Sequence, residues 1–439
     1  MLKTLVGAFK NKDIRKKVLY TLMILVVVRV GSLLPIPGVD TEYFSSLLSG
    51  INTGDLSYLS AFTGGSFERM SLFALSITPY ITSSIIMQLL AIAIPKLEEM
   101  QKEGEDGRKK IAAITRYVTI GLALIESIAM AVGFGRSGLI KGYQGFSTLH
   151  YIVSIIVVVA ALTAGSAMLM WLGERITENG VGNGISIVLL INIISGMPSD
   201  FATLYSTFVA PRTIAKGVLA AAIIIAILVV MVVLVCFLQD GERRIPVQYS
   251  QKVSGRKTFG GQSTNIPLKV NTAGVMPVIF ASSLMQFPVI IAQLFGKSYE
   301  WTRYLSSSYW CRVSAPKYSI GLILYVVLLI IFAYFYTSIT FNPIEVADNL
   351  KKAGGVIPGI TPGKSTSDYL NNILNYIVFV GAVGLLIIAL IPIMCTGFFN
   401  ASVSFGGTSV IIIVGVVLET LKQIESQMVN RYYKGFLSE

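Results

Sequence analysis

Charge is scarce in this chain: of 439 residues only 13% are charged, one is histidine and three are cysteine. A soluble protein of this length carries about a quarter charged residues, so an ordinary water-soluble domain is excluded. The single histidine, His150, stands beside a predicted membrane boundary and leaves no HExxH zinc helix and no His-based triad. Cys236, Cys311 and Cys395 are scattered and odd in number, so neither a disulfide framework nor a metal site follows from them. Nucleotide loops fail as well. The run "PGITPGKS" has Pro358 where a phosphate-binding loop needs glycine, and "GVGNG" at 180–184 lacks both GxGxxG spacing and a surrounding βαβ unit. The expectation is a chain without catalytic residues, metal or cofactor.

What the chain has is apolar length. Hydrophobic residues make up 54% and the mean hydropathy is +0.71. A bilayer core about 30 Å thick takes roughly 20 apolar helical residues to cross. Ten blocks qualify, near 18–34, 70–94, 111–134, 149–172, 184–198, 214–238, 270–295, 318–341, 373–396 and 407–429. They predict an all-α polytopic membrane protein. The first block has the basic flank and apolar centre of a signal peptide, but it runs into "LLPIPGVD" without a small-residue cleavage site and is read as a retained span.

Lysine and arginine set the orientation. Sorting the connections alternately puts 24 of the 35 basic residues on one side, with the amino tail 1–17, loop 95–110, loops 239–269 and 342–372, and the carboxyl tail 430–439. That side is expected to be cytoplasmic, with both termini on it. Loop 296–317, carrying Lys297, Arg303, Arg312 and Lys317, is the exception. The net charge of +12 is mostly this topology signal.

Ten spans divide into two sets of five, 18–200 and 214–429, joined by an outer connection at 201–213. The second span of each set carries proline among small hydroxyl residues. One reads "FALSITPYITSSIIMQLL" with Pro79, the other "NTAGVMPVIFASSLMQFP" with Gly274, Pro277, Ser282, Ser283 and Pro288. Interrupted spans at matching positions point to a functional interface between repeats. Before the first lies "LSYLSAFTGGSFERM", too short to cross, where Gly64 and Gly65 permit a sharp turn. It is either irregular backbone lining a cavity or an interfacial helix. The two long basic loops exceed what orientation requires; 239–269 alternates like a hairpin, and 342–372 has a short helical start and a Gly/Pro-rich tip.

Arg29 and Glu126 stand out as ionisable residues within spans. Arg29 near a span end reads as snorkelling or structural, whereas Glu126 must face protein or water. An intramembrane hydrolase or an ion-coupled secondary transporter would need more such groups. What remains is a conduit lined with small hydroxyls and aliphatics.

Several stretches in order, "PIPGVD", "ITPYITSSIIMQLL", "KEGEDGRKKI", "MWLGERITENGVGNGISI", "QSTNIPLKVNTAGVMPVIFASS", "FNPIEVADNLKKAGG" and "FGGTSVIIIVGVV", resemble the SecY family over essentially the whole chain. That family supplies the central subunit of the bacterial protein-translocation channel and is homologous to the α subunit of the eukaryotic Sec complex. The resemblance implies two inverted five-helix halves around an hourglass pore, with a lateral gate between spans 2 and 3 and spans 7 and 8. It implies a pore constriction at Ile77, Ile81, Leu189, Ile193, Ile279 and Ile412. It implies a plug at 56–68 with Leu56, Leu59, Phe62, Gly64, Gly65 and Phe67, and gate positions at Pro79, Thr82, Glu126, Pro277, Ser283 and Phe287, with the gate hydroxyls lining a wet path. Docking of cytoplasmic partners would fall to Arg243, Arg244, Arg256, Lys257, Lys351, Lys352, Thr361 and Lys364. The implied partners are SecE, SecG, the SecA motor ATPase, the ribosome, signal sequences and nascent polypeptides, and the lipid of a bacterial plasma membrane. One departure is plain: the family's loop-tip pattern GIRPG reads Gly359-Ile360-Thr361-Pro362-Gly363 here, so its arginine is absent.

Overall fold

The computed structural model describes residues 11–50, 63–134, 148–211, 214–249, 252–254, 257–259, 263–294, 300–306, 309–311, 316–399 and 407–435. Leu56, Leu59, Phe62 and Arg256 lie outside them. The first helix, α1 (Lys12–Leu33), opens on Asn11, whose side chain accepts from the Asp13 amide, and stops short of Pro35 and Pro37. A short α2 (Thr41–Gly50) follows. Next comes α3 (Thr78–Ala93), which ends ahead of Pro95, where the chain bends by 106° into α4 (Pro95–Lys102).

Two long helices, α5 (Glu105–Phe134) and α6 (Thr148–Asn179), then run antiparallel. The "GVGNG" stretch is the turn between α6 and α7 (Gly184–Leu204). Asn183 caps α7 by accepting from the Ile185 and Ser186 amides, Gly182 takes φ +80°, and a Cβ on Gly184 would run into the Gly173 carbonyl. A π-helical turn, Tyr205–Val209, prolongs α7 and packs against α8 (Ile214–Asp240). After the strands described below come α9 (Met276–Leu294), α10 (Glu300–Leu305), α11 (Ile320–Thr340), α12 (Pro343–Lys352), α13 (Lys364–Phe399) and α14 (Gly407–Gly435).

Each apolar block of the sequence overlaps one described helix, although 70–77 and 270–275 at the start of two blocks are not helical. Among the described residues six helical segments are long and apolar enough to cross a membrane, and the bent pair α3–α4 makes a seventh. Lipid-facing surface shows as exposed aliphatics, densest on α8 with Leu219, Ile223, Val229, Val230 and Phe237. Contact between the two sets of helices occurs where α5 meets α9 and where α7 meets α14.

Residues at the basic end fold into a small module of their own. Strand β1 (Glu242–Tyr249) and β4 (Ser263–Lys269) pair antiparallel, and between them β2 (Lys252–Ser254) pairs with β3 (Lys257–Phe259), as the alternating pattern of 239–269 predicts. The other long loop joins the same sheet: β5 (Gly355–Val356) pairs with Tyr249 and Gln248. Beneath it Ile245, Val247, Leu268, Leu350, Ile357, Leu370, Ile373 and Ile377 form one buried cluster. The motif "FNPIEVADNLKKAGG" has a local reason. Asn342 caps α12 through the Ile344 and Glu345 amides, Pro343 fills its first turn, and Gly354 at φ +71° lets the chain leave.

The opposite end has a cap as well. Trp310, 2% exposed, is inserted beside Tyr325 of α11 and donates its Nε1 hydrogen to the Tyr304 carbonyl at 2.8 Å. Tyr318 stacks edge-on with Tyr304 and Tyr309. Arg303 lies over the Tyr309 ring and Lys317 over the Tyr318 ring. A hydrogen bond to Tyr318 holds the Arg303 guanidinium above its ordinary pKa. Two of the four cations that break the charge asymmetry, Arg303 and Lys317, are thus engaged with aromatic rings.

A candidate aliphatic constriction and its surroundings

Ile77, Leu189, Ile193, Ile279 and Ile412 are between 1% and 6% exposed and belong to one buried hydrophobic cluster, against which half-buried Ile81 packs. They come from four elements. Ile77 is the residue on which α3 begins, and its carbonyl accepts the Ile81 amide at 3.0 Å, so the two share a helical face. Leu189 and Ile193 repeat that spacing on α7, while α9 and α14 supply Ile279 and Ile412. Ile185, one turn before Leu189, packs against the same cluster. The sequence reading passed over it, although its i, i+4 spacing from Leu189 was the available signal. Aliphatic side chains offer ions no hydrogen bonds, and they adapt their shape because no fixed polar geometry holds them.

On one side of this junction runs the limb 63–77. Gly64 and Gly65 take φ +61° and +79°, the sharp turn expected of them. Phe67, 6% exposed, packs edge-on against Phe44 at 5.8 Å in a second cluster with Ile36, Met70 and Met130. The limb is pinned to the end of α1 by Ile36 N to Met70 O at 3.1 Å and Leu72 N to Leu34 O at 2.9 Å. A Cβ on Gly64 would lie 2.6 Å from the Asn192 carbonyl and from Ser195 Oγ of α7.

The gate positions carry a correction. Neither Pro79 nor Pro277 interrupts a helix; each is the second residue of one, and both are buried. Two hydroxyls of the quoted stretch are spent locally. Thr82 Oγ1 donates to the Thr78 carbonyl at 3.1 Å, and fully buried Ser83 donates to the Pro79 carbonyl at 2.7 Å. Ser83 is fully enclosed, with its hydroxyl satisfied inside the helix. Glu126 is half-buried on α5, the helix that meets α9, and α9 carries Pro277, half-buried Ser283 and the backbone of Phe287. Arg29 is half-buried, with one guanidinium nitrogen enclosed and without a hydrogen-bond partner.

Across α5 and α6, Arg116 meets Glu174 at 2.7 Å, and across α8 and α14, Lys422 meets Asp240 at 2.7 Å. At the basic end Arg243 and Arg244 project from β1, and Arg244 is engaged with Glu242 at 2.6 Å. Lys257 lies in β3, and Lys351 and Lys352 are exposed in the last turn of α12. Thr361 is exposed between Gly359 (φ +81°) and Gly363 (φ +108°), and exposed Lys364 is the first residue of α13. Among the described residues no group of acidic, histidine and cysteine side chains is placed to hold a metal.

These features define a multi-pass helical membrane protein whose two sets of helices meet at a dry aliphatic junction. The SecY family model matches residues 71–421, and the chain belongs to that family. A protein translocase subunit SecY of Streptomyces galbus is 44% identical over 446 residues, with all of both chains covered. A solved SecY channel, whose plug domain is described as stabilising the closed state and maintaining a membrane seal, has a TM-score of 0.63 at 18% identity, covering 94% of this chain and 92% of that one. Sec61 in the canine ribosome-channel complex has a TM-score of 0.59 at 16% identity, covering 94% and 93%. Those two likenesses carry the fold.

Proposed function

We propose that this chain is the channel-forming subunit of a bacterial protein translocase, passing unfolded polypeptides across the plasma membrane and releasing apolar segments sideways into lipid. The observation that carries the reading is the gathering of Ile77, Ile81, Leu189, Ile193, Ile279 and Ile412 from both sets of helices into one cluster. Such a ring seals by excluding water and parts around a polypeptide of any sequence. The limb containing Gly64, Gly65 and Phe67 is the root of the plug, 56–68. The seam of α5 against α9 is the lateral gate, with Pro79, Thr82, Glu126, Pro277, Ser283 and Phe287 on the helices around it.

Orientation follows the charge, with the basic end and both termini in the cytoplasm. The module built on β1, β4, β5 and α12 offers Arg243, Arg244, Arg256, Lys257, Lys351, Lys352, Thr361 and Lys364 to the SecA motor and to the ribosome. SecE and SecG complete the complex by family membership. The chain itself acts without catalysis, and energy comes from its partners.

Crosslinking is the direct test. In a background lacking Cys236, Cys311 and Cys395, single cysteines at Ile81, Leu189 and Ile279 should capture a stalled secretory precursor. Cysteines on the lipid face of α8, such as at Val230, should not. Equal capture at both sets removes the path from this junction.

A further inference from the structure

Asn192 is a polar side chain within the aliphatic stretch of α7, "IVLLINII", and is 2% exposed. Burying an amide costs free energy unless its groups are bonded, and here the Oδ1 is enclosed without a hydrogen-bond partner among the described residues, so the Nδ2 bond is the one that anchors the side chain. Its Nδ2 donates to Ser76 Oγ at 3.0 Å. Ser76 is itself unusual, a buried non-glycine residue at φ +53°, a conformation that L side chains rarely adopt. The next residues along the chain are Ile77 and Ile193, so the bond joins the two positions immediately before two of the constriction side chains.

The backbone around Asn192 is engaged as well. Its carbonyl accepts from Ser195 Oγ at 2.8 Å, and the same hydroxyl stands 3.4 Å from the Gly64 carbonyl. Gly64 rests on this carbonyl too closely for any side chain. One residue of α7 thus touches both ends of the limb 64–76: the turn before the constriction, and the root of the plug.

We propose that Asn192 is a positioning residue of the closed channel: through Ser76 it holds the left-handed turn that presents Ile77 to Ile193, and through its carbonyl it seats Gly64. The inference rests on the reading of these aliphatics as the constriction. The Ser76 amide also donates to the Phe73 carbonyl at 2.9 Å, and its carbonyl accepts from Ser166 Oγ at 3.5 Å, so loss of the Asn192 amide removes the side-chain bond from α7 and loosens the hold on Ile77. The channel then leaks at rest and admits precursors whose signals are too weak to open it.

Backbone preference and the latch predict opposite results for Ser76→Gly. Glycine adopts φ +53° without strain, so on backbone grounds alone this change should leave the seal unchanged or tighter. A latch predicts a leak. The measurement is resting open probability of the purified full complex in planar bilayers, paired with export of a precursor carrying a crippled signal. Asn192→Leu and Ser76→Gly should each raise resting open probability about tenfold, equivalent to ~1.4 kcal/mol. The double variant should leak no more than either single one, and Asn192→Gln, which keeps the amide, should leak less than Asn192→Leu. Export through intact signals should be unchanged.

Ile81→Asn is the control. If it leaks while Asn192→Leu and Ser76→Gly do not, the latch is overturned and the constriction stands. If Ile81→Asn is also silent, the constriction reading falls and the latch falls with it. Should Asn192→Leu fail to assemble, Ser76→Gly decides alone, since it introduces no steric conflict.

Discussion

Pro79 and Pro277 occupy the same place in the two sets of helices. Each is the second residue of its helix, and each follows by three positions a residue in the left-handed region, Ser76 at φ +53° and Gly274 at φ +63°. Proline fits the first turn because the amide it lacks would have had no partner there. Both prolines therefore mark where a helix begins inside the bundle. The chain before each runs as turns, at 72–77 and 270–275. The asymmetry is Ser76, where glycine would relieve the backbone.

Replacing Pro79 by Ala should consequently change little. A proline in a helix interior costs about 3 kcal/mol relative to Ala, whereas in the first turn the difference should stay below ~1 kcal/mol. The check is the unfolding midpoint of the detergent-solubilised complex. A stabilisation near the larger figure would place Pro79 within a broken helix.

This pair also shows what was legible in the sequence. Length and apolarity report spans through local composition, so the ten blocks each overlap a helix. A hydropathy run cannot say where within it the helix starts, so the prolines read as breaks. Hydroxyl content misled for a related reason: Ser83 looks polar in sequence, yet its bond to the Pro79 carbonyl lies four residues away in the same helix. The rest was hidden by sequence distance. Gln248 pairs with Val356, and Asn192 meets Ser76 across 116 residues. No window of local pattern contains such pairs. The six constriction residues came from the family resemblance, because buried aliphatics look alike wherever they pack.

Replacing Ile81, Ile279 and Ile412 together by Asn should hydrate the junction and raise ion conductance at rest. Each substitution puts an amide where aliphatics now exclude water. Normal expression with unchanged conductance would make these residues ordinary packing.

For the seam, α5 touches α9. With the native cysteines removed, Glu126→Cys and Ser283→Cys joined by a short bifunctional maleimide with a reducible spacer should stop sideways release of apolar segments. Reduction of the spacer should restore release. Undiminished release through the fully crosslinked protein would move the exit to another pair of helices.

The two basic loops should behave as one folding unit, since β1 and β5 share a sheet over one buried cluster. Val247 is fully buried there. Truncating it to Ala should cost about 1–3 kcal/mol. Hydrogen exchange should quicken at 344–357 as well as at 242–249. Faster exchange confined to the first loop would mean the two move independently.

The final prediction concerns Lys364, the first residue of α13 and exposed beside Thr361, where the family resemblance leads one to expect arginine. A cation at a helix N-terminus opposes the helix dipole, at a typical cost of about 0.3–1 kcal/mol. Local stability therefore gives no reason for lysine here, and Lys364→Glu should make the start of α13 more stable. If Lys364 supplies the missing cation to the motor, the same change should slow SecA-driven translocation more than ribosome-coupled insertion. Lysine is a flexible point charge and lacks the bidentate fork of arginine, so its service at this tip would be partial. Adding Thr361→Arg to Lys364→Glu should recover the rate, because the exposed turn between Gly359 and Gly363 has room for the longer side chain. The deciding quantity is the initial translocation rate at saturating ATP in vesicles with matched channel levels. A rate unaffected by Lys364→Glu makes the lysine solvated surface, and the motor contact then belongs to Arg243 or to the end of α12.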